Sequence, residues 1–341
     1  IFTKLGIFLK MRVSLHKILV KNMLNRRILR IKAFKVLYSS ILSENVTLAQ
    51  AESQLELSCE ATRDLYIYML GIVSPLTKIA QDRIESLKAK FNPTEEERNP
   101  NMKFAENALA KLLDENEDFQ KVFKKKKFDW TQYDLLLKKI MTSIASKDYY
   151  AEYMASPERS LAEDCKLFTR IFEEEFVDSE ELETLLEEKS LYWNDDLAYA
   201  LTWCCKTFKG FAQGEAWSLL PLYQSEILKG EGVESDKFFV RKLLQSAFAG
   251  YERYSAMVAE SVSGWEKERL FSTDVVLIVM GLAEVATFPT IPVKVSMNEY
   301  VEISKFYGTP KSRSFVNGIL DRLVQRLADE GAVKKEGKGL L

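Results

Sequence analysis

The scarcity of glycine and proline is the feature that most restricts how this chain folds. The sequence contains 14 glycines and 8 prolines in 341 residues, which is roughly half the usual share. A sandwich or barrel of short strands needs frequent turns, and glycine and proline supply many of them. The composition therefore argues against a turn-rich β architecture.

The spacing of apolar residues predicts an all-α fold. In the segment 25–40, four apolar residues fall on one helix face at the i, i+4, i+7 and i+8 positions: Leu29, Ala33, Val36 and Leu37. The remaining helices are predicted at 48–68, 65–90, 103–116, 130–146, 160–176, 179–189, 195–208, 238–262, 274–285 and 311–330. The composition of 91–100 is typical of a solvated linker.

Two local patterns help to place the C-terminal helices. Ser296 and Glu299 have the spacing of a capping box, so a helix is predicted to begin at Ser296 and to end at Gly308. The pair Asn317-Gly318 would indicate a hairpin in isolation. The apolar residues on both sides of it keep helical spacing, so the last helix is predicted to continue through this pair.

Charge is distributed unevenly along the chain. The formal net charge is −2, yet residues 1–43 contain ten lysines or arginines and no acid, the first acid being Glu44. A basic end on a nearly neutral chain indicates an arm that binds a polyanion. Lysine and arginine interrupt residues 1–22, so this segment does not have the continuous apolar stretch of a signal peptide. We interpret it as upstream translated sequence before Met23, with a native basic leader as the alternative.

The reactive side chains argue against an enzyme. His16 is the only histidine, which disfavours histidine-based triads and zinc sites. The four cysteines form no Cys-x-x-Cys pair, and we interpret them as reduced thiols of a cytoplasmic protein: Cys59, Cys165, Cys204 and Cys205. The longest apolar run, 275–282, has the length of a core segment rather than of a membrane span. We predict no catalytic residues, no metal, no cofactor and no membrane association.

The most specific motifs lie near the C-terminus. Phe-Pro-x-x-Pro-Val-Lys-Val starts at Phe288 and is followed by Met-Asn-Glu at 297–299, Lys-Phe-Tyr-Gly at 305–308 and Phe-Val-Asn-Gly at 315–318. Together with the basic segment Asn-Arg-Arg-Ile-Leu-Arg at 25–30, these motifs resemble the NusB-type transcription antitermination factors. The resemblance covers 25–65 and about 236–328, which is less than half of the chain.

The resemblance implies an all-α, NusB-like helical bundle formed by the two ends of the chain, with a large all-helical insertion. The predicted organisation is a possible non-native segment or basic leader at 1–22, a first NusB-like part at 23–65, the insertion at 66–235, a second NusB-like part at 236–330 and a polar tail at 331–341. The role of the insertion is left open by this resemblance.

The resemblance also implies two sets of RNA-binding residues. The first lies on the basic first helix and consists of Arg26, Arg27, Arg30, Lys32 and Lys35. The second is Lys311 and Phe315 at the start of the last helix, where amides and cations hold a phosphate and a ring stacks on a base. The alternatives are a solvated basic face for the first set and a core position for Phe315. Lys311 stands where some relatives carry an acid.

Protein partners follow from the same resemblance. Positions matching Tyr38 and Asp274 meet the small ribosomal protein NusE in this family, although a tyrosine at the edge of a bundle core is the commoner case. We expect the chain to bind a boxA-like leader element of ribosomal RNA operons together with NusE, and to modify the RNA polymerase elongation complex with other Nus factors. The alternative is a helical protein-interaction scaffold in ribosome biogenesis without direct RNA binding. We interpret the run Lys124–Lys127 as a solvated loop, with RNA contact as the less favoured alternative.

Overall fold

A computed structural model describes residues 23–43, 45–223, 235–262 and 273–340 of the chain. Within these ranges the regular elements are α, 3₁₀ or π helices and there is no strand, which confirms the all-α prediction. The predicted leader 1–22 and His16 lie outside the described residues. None of the helices in these ranges combines the length and the apolar character needed to cross a bilayer.

The described residues group into two compact units. The terminal unit consists of residues 23–60 and 221–340, and the inserted unit consists of residues 61–220. The two ends of the chain therefore build one bundle, and a helical region is inserted between them. The first division falls inside a helix at 60/61 and the second at 220/221, whereas the sequence places the insertion at 66–235.

We number the helices α1 to α15 through the described residues. The terminal unit contains α1 (Arg26–Leu42), the beginning of α2 (Leu48–Leu70), α12 (Asp236–Ser261), α13 (Thr273–Thr287), α14 (Val293–Tyr307) and α15 (Ser312–Asp329). The inserted unit contains the rest of α2 and then α3 (Val73–Lys88), α4 (Glu95–Arg98), α5 (Ala108–Glu115), α6 (Glu117–Lys125), α7 (Asp134–Ala145), α8 (Asp148–Ala155), α9 (Leu161–Ile171), α10 (Glu180–Lys189) and α11 (Leu197–Ala212).

The inserted unit has an aromatic core. Its four described tryptophans are all buried: Trp130, Trp193, Trp203 and Trp217. Tyr68 stacks on Trp130 with ring centroids 4.3 Å apart and on Trp193 at 5.2 Å. Each large ring removes much apolar area from water, so a small number of rings stabilises a unit built from short helices. Cys165 and Cys204 are buried in the same unit as free thiols.

Three short helices of the inserted unit are absent from the predictions: α4, α6 and α8. No helix was predicted at 117–125 or 148–155, and α4 lies in the segment 91–100 that was predicted to be a solvated linker. The interpretation of Lys124–Lys127 as a loop is therefore wrong in part, because Lys124 and Lys125 form the last turn of α6. Asn116 caps this helix by accepting a hydrogen bond from the amide of Phe119 at 2.8 Å, and this signal is visible in the sequence.

Helix α13 is the centre of the terminal unit. Every residue from 275 to 285 is buried, because α1, α12, α14 and α15 all pack against this helix. A helix enclosed by neighbours carries apolar residues on all its faces. Glu284 is the charged exception, since it lies in this segment with no exposed surface.

A buried ion pair compensates the charge of Glu284. The guanidinium of Arg30 in α1 donates from Nε and Nη2 to the two carboxylate oxygens, at 2.7 and 2.6 Å. Ser296 and Tyr300 of α14 donate to the same oxygens at 2.7 and 2.8 Å. Burial raises the pKa of Glu284, but the charge and hydrogen bonds of Arg30 outweigh burial and hold that pKa below its ordinary value. One carboxylate thereby connects α1, α13 and α14.

The start of α14 differs from the prediction because of this carboxylate. The helix begins at Val293 with Pro292 at the N-cap, so Ser296 lies inside the helix and the predicted capping box is wrong. The Ser296 hydroxyl donates to Glu284 instead of capping the helix. Proline is favourable at a helix start because it has no N–H to leave unsatisfied. Gly308 ends the helix as predicted.

The segment after α15 folds back onto the terminal unit. The ammonium group of Lys335 donates to the carbonyls of Val285 and Phe288 at 2.9 Å each, and the amide of Glu336 donates to the carbonyl of Pro289 at 3.0 Å. A lysine at this place satisfies carbonyls at the end of α13 that have no partner within the helix. Residues 331–340 thus close one end of the bundle.

We predict that Glu284→Gln destabilises the terminal unit by about 3 kcal/mol, because the buried Arg30 charge loses its bidentate partner and keeps only the longer pair with Glu299 at 3.8 Å. The measurement is urea unfolding followed by far-UV circular dichroism. The matched control is Glu330→Gln, which removes a carboxylate of the same type from exposed pairs with Arg253 and Arg326. The prediction fails if both variants unfold at the same urea concentration as the wild type.

The same pair predicts a pH dependence of stability. Because the pKa of Glu284 is depressed in the folded state, its contribution is complete above the unfolded-state pKa of about 4.3 and is lost as pH falls through the folded-state value. The difference in unfolding free energy between wild type and Glu284→Gln should be constant above about pH 5 and should shrink below about pH 4. A difference that stays constant in acid would contradict the assignment of this pair.

Candidate nucleic-acid interface

The arginines at the start of α1 face carboxylates of α12, α13 and α14. Arg27 donates from Nε and Nη2 to Glu299 at 2.8 and 2.7 Å, and Arg26 donates from Nε to Asp236 at 3.1 Å. We call Arg26, Arg27 and Arg30 the arginine face. All three guanidinium groups pair with these acids. Their acidic partners were not anticipated.

Burial divides the arginine face into two parts. Arg30 is only 3% exposed, whereas the side chains of Arg26 and Arg27 are 32% and 38% exposed. The guanidinium groups of Arg26 and Arg30 lie over the ring of Phe239, at 4.7 and 5.1 Å from its centroid. Arg30 is therefore a structural residue in this conformation, and the predicted RNA contact through it needs correction. Arg26 and Arg27 keep an accessible part.

Lys32 and Lys35 lie in different environments. Lys32 is buried, with 1% of its surface exposed, so the prediction that it contacts RNA also needs correction for this conformation. Lys35 is partly exposed, and its ammonium group lies 5.8 Å from the centroid of the Tyr307 ring at the end of α14. Sequence spacing separates these two lysines from the arginine face but does not reveal which of them is covered.

Three aromatic rings pack together at the junction of α1 and α14, next to Lys35. Phe34 lies 5.2 Å from Tyr307 and 6.0 Å from Tyr38, measured between ring centroids. Tyr38 is half-buried and stacks on Phe34 with an interplanar angle of 29°. The structure thus gives Tyr38 a packing role inside the unit and leaves part of its surface accessible.

The segment 308–315 joins α14 to α15, and we call it the basic turn. It carries Lys311 at the N-cap of α15, with Arg313 and Phe315 following in the first turn. Lys311 and Arg313 are exposed and Phe315 is partly exposed. The positive end of the α15 dipole is added to these two cations, so this turn is a favourable place for an anion. Arg313 stands between Lys311 and Phe315 in the sequence but was not predicted as a site residue.

Asp274 holds the basic turn in place through Ser312. Its Oδ2 accepts a hydrogen bond from the Ser312 hydroxyl at 2.7 Å, and the Ser312 oxygen accepts one from the amide of Thr309 at 2.7 Å. Burial raises the pKa of Asp274, while the bond from Ser312 acts against that shift. A Cβ on Gly308 would lie 2.4 Å from Ser312 and 2.8 Å from Asp274, so only glycine fits here. Asp274 is half-buried rather than fully exposed.

Glu302 lies in α14 between Glu299, the partner of Arg27, and Tyr307, the last residue before the basic turn. Burial raises the pKa of Glu302, but a hydrogen bond from Lys305 and the charges of Lys305, Arg27 and Arg313 lower it overall. The ring of Phe34 in α1 lies 5.2 Å from that of Tyr307, and the ammonium group of Lys35 lies 5.8 Å from it. Helix α1 therefore reaches the end of α14 directly before the basic turn.

In the described residues, no group of three or more His, Cys, Asp or Glu side chains has the arrangement of a metal site. The accessible groups are cations, half-exposed rings and a helix N-terminus, and these groups hold phosphates and bases.

Comparison with known proteins identifies the family. The model of the NusB family matches residues 218–325. A protein of Salinibacter ruber named transcription antitermination protein NusB is 34% identical over 107 residues, which cover 31% of this chain and 67% of the relative. A protein of the same name from Chloroherpeton thalassium is 35% identical over 105 residues, covering 31% of this chain and 50% of the relative.

A third relative from Alkaliphilus oremlandii, also named transcription antitermination protein NusB, is 28% identical over 103 residues, or 30% of this chain and 75% of the relative. No solved structure matches the chain. The family match includes the helices that carry Glu284, Glu299 and the basic turn, and it lies in the terminal unit except at its first residues. With 34% identity to a relative that it covers over two thirds, this chain belongs to the NusB family.

Proposed function

We propose that the chain is a transcription antitermination factor that binds a boxA-like RNA together with NusE. The name of the relatives supports the antitermination role. The single structural observation that supports RNA binding is the position of Tyr307, which directly precedes the basic turn and lies against Phe34 and Lys35 of α1. Its position makes one surface from two segments that are far apart in the sequence.

RNA contacts follow from the accessible groups of this surface. Lys311 and Arg313 bind phosphates beside the N-terminus of α15, and Lys35 extends the cationic strip towards α1. Phe315 and the half-exposed ring of Tyr307 stack on bases that have left the helix, which is how single-stranded RNA is read. Phosphate contacts give affinity and position the strand, while contacts with bases give specificity.

Arg26 and Arg27 bind RNA in this mechanism by exchanging a carboxylate partner for a phosphate. Each of them is already bound to a carboxylate, so a phosphate must replace Asp236 or Glu299. A guanidinium binds carboxylate and phosphate with the same bidentate geometry. The arginine face therefore contributes to RNA binding only where the phosphate competes with the internal acid.

NusE is the protein partner in this proposal. Tyr38 and Asp274 are the residues proposed to face NusE, and both retain partly accessible surface. A tyrosine that is already held by Phe34 loses little conformational freedom on binding, which suits an interface anchor. The assembled complex would then act on the RNA polymerase elongation complex together with other Nus factors, without turnover.

One observation favours a second candidate, the helical scaffold without direct RNA binding. The three cations of the arginine face each have a carboxylate partner, which reduces the positive potential that attracts a polyanion. Under this alternative the acids are permanent partners, and only the protein contacts carry function. Substitutions in the basic turn and at Glu299 distinguish these candidates.

The first experiment removes the cations of the basic turn. We expect the double variant Lys311→Gln and Arg313→Gln to weaken binding of a boxA-like RNA and to reduce the slope of log affinity against log salt by about 0.7 for each phosphate that is no longer neutralised. Fluorescence anisotropy over a series of salt concentrations measures both quantities. The control combines Lys242→Gln and Arg322→Gln, which remove the same charges from exposed positions of α12 and α15. Equal effects of the two double variants would contradict the proposed surface.

The second experiment removes the competitor of Arg27. Glu299→Gln should tighten RNA binding and make its salt dependence steeper, because the guanidinium of Arg27 is then available to a phosphate. The control is Glu260→Gln, which removes one of the two carboxylate partners of Arg326, in an exposed pair of α12 and α15. If the scaffold alternative holds, RNA affinity will be unmeasurable in low salt for the wild type and both variants, with or without NusE.

A further inference from the structure

Helix α6 of the inserted unit ends in a run of four lysines. Lys126 is held by Asp64 at 2.7 Å, while Lys124, Lys125 and Lys127 are exposed. The acids of this helix lie at its beginning, where Glu117 pairs with Lys121 at 3.2 Å. The helix dipole favours cations at a C-terminus and explains a lysine in the last turn. It does not explain a lysine beyond that turn.

Lys127 has a backbone conformation that favours glycine. Its φ is 54°, in the left-handed region that residues with a Cβ adopt at an energetic cost. The amide of Phe128 donates to the carbonyl of Phe123 at 3.2 Å, across the end of α6, which is the bond that closes a helix through a left-handed residue. Glycine is the usual residue at this position. The exposed side chain of Lys127 gains little from packing, so its charge is the feature that distinguishes it from glycine.

Aromatic rings follow the lysine run directly. The ring of Phe128 packs edge-on against Tyr68 at 5.3 Å. The ammonium group of Lys189 lies 5.1 Å from the centroid of Tyr68 and 5.6 Å from that of Tyr133. Phe128, Tyr133 and Lys189 are partly exposed, and the nearby acid Asp129 accepts hydrogen bonds from the amide and hydroxyl of Thr131. Phe128 and Lys189 thus both lie against the buried ring of Tyr68, and Lys189 also lies near Tyr133. Lys124, Lys125 and Lys127 directly precede Phe128 in the chain.

We propose that Lys124, Lys125 and Lys127 with Phe128, Tyr133 and Lys189 form a second binding surface for single-stranded RNA, located in the inserted unit. We call it the lysine–aromatic surface. The choice of RNA as the polyanion rests on the proposed function of the chain. The rings favour RNA over an acidic peptide, because bases stack on aromatic faces whereas carboxylates do not. Lysines without a fixed fork geometry bind phosphates irrespective of sequence, so this surface adds affinity and length to the bound strand.

The direct test is protection of lysines from acetylation in the full chain. The probe is a short oligouridylate, and the modified lysines are identified by mass spectrometry. We expect Lys124, Lys125 and Lys127 to become at least severalfold less reactive when the RNA is added. Lys111 and Lys138, which are exposed on α5 and α7 of the same unit, should not change. Equal reactivity of the three lysines with and without RNA overturns the proposal.

Lys127→Gly separates binding from folding. The variant removes both a charge and a backbone strain, so it should raise the midpoint of thermal unfolding by about 2–4 °C while it weakens binding of the oligouridylate. A role confined to the fold would give the first effect without the second, and that result overturns the proposal. Adding Lys124→Gln and Lys125→Gln should lower the salt slope by about 0.7 for each phosphate that is no longer neutralised.

Two comparisons identify the partner and separate this inference from the proposed function. The double variant at Lys311 and Arg313 should retain the protection of Lys124, Lys125 and Lys127, because that protection reports on the lysine–aromatic surface alone. If the substitutions at 124, 125 and 127 leave RNA affinity unchanged while the double variant reduces it, the inference is wrong and the proposed function stands. Protection by oligoglutamate but not by oligouridylate would assign the surface to an acidic protein and would also overturn the inference.

Discussion

The ion pair between Arg30 and Glu284 is the interaction on which the terminal unit depends. A carboxylate without exposed surface in the last turn of an apolar helix is strongly unfavourable unless it is paired and hydrogen-bonded. The guanidinium of α1 and two hydroxyls of α14 meet this requirement. Because the partners come from both ends of the sequence, satisfying one carboxylate also fixes how the N-terminal helix packs on the C-terminal bundle. A purely apolar contact would specify that arrangement less sharply.

This pairing also determines which cations remain for a polyanion. Arg30 is buried in the pair, and Arg26 and Arg27 are bound to acids at the edge of the same face. The exposed Lys311 and Arg313 lie instead on a turn that is held by Asp274, Ser312 and Gly308. A rigid basic turn loses little freedom when it binds a phosphate, whereas an arginine in an ion pair must first give up its partner. In the proposed RNA-binding role, Lys311 and Arg313 are therefore expected to contribute more than Arg26, Arg27 and Arg30.

The helical class and most helix positions could be predicted from the sequence, because they depend on local spacing of apolar residues. The roles of individual polar residues could not. Ser296 has the spacing of a capping residue, but its hydroxyl belongs to Glu284, which is 12 positions away in the sequence. The burial of Arg30 depends on Glu284, which is 254 positions away in the sequence, and the burial of Lys32 depends on how α1 packs. A basic run has the same sequence pattern whether it faces solvent or a carboxylate. Arg313 could have been selected, since it stands in the same motif as Lys311.

The insertion is compatible with the bundle because of the places where the chain leaves the bundle and returns to it. The chain leaves the bundle inside α2, which belongs to the terminal unit up to residue 60. It returns at Pro221 and Leu222, whose carbonyls accept hydrogen bonds from the amides of Met23 and Leu24 at 2.8 and 2.9 Å. Both ends of the insertion are thus fixed within the terminal unit, one by a helix and the other by backbone hydrogen bonds. The entropic cost of closing a loop rises only slowly with the length of the loop. A folded insertion also has fewer conformations to restrict than an unfolded one. The bundle therefore does not require this insertion to be short.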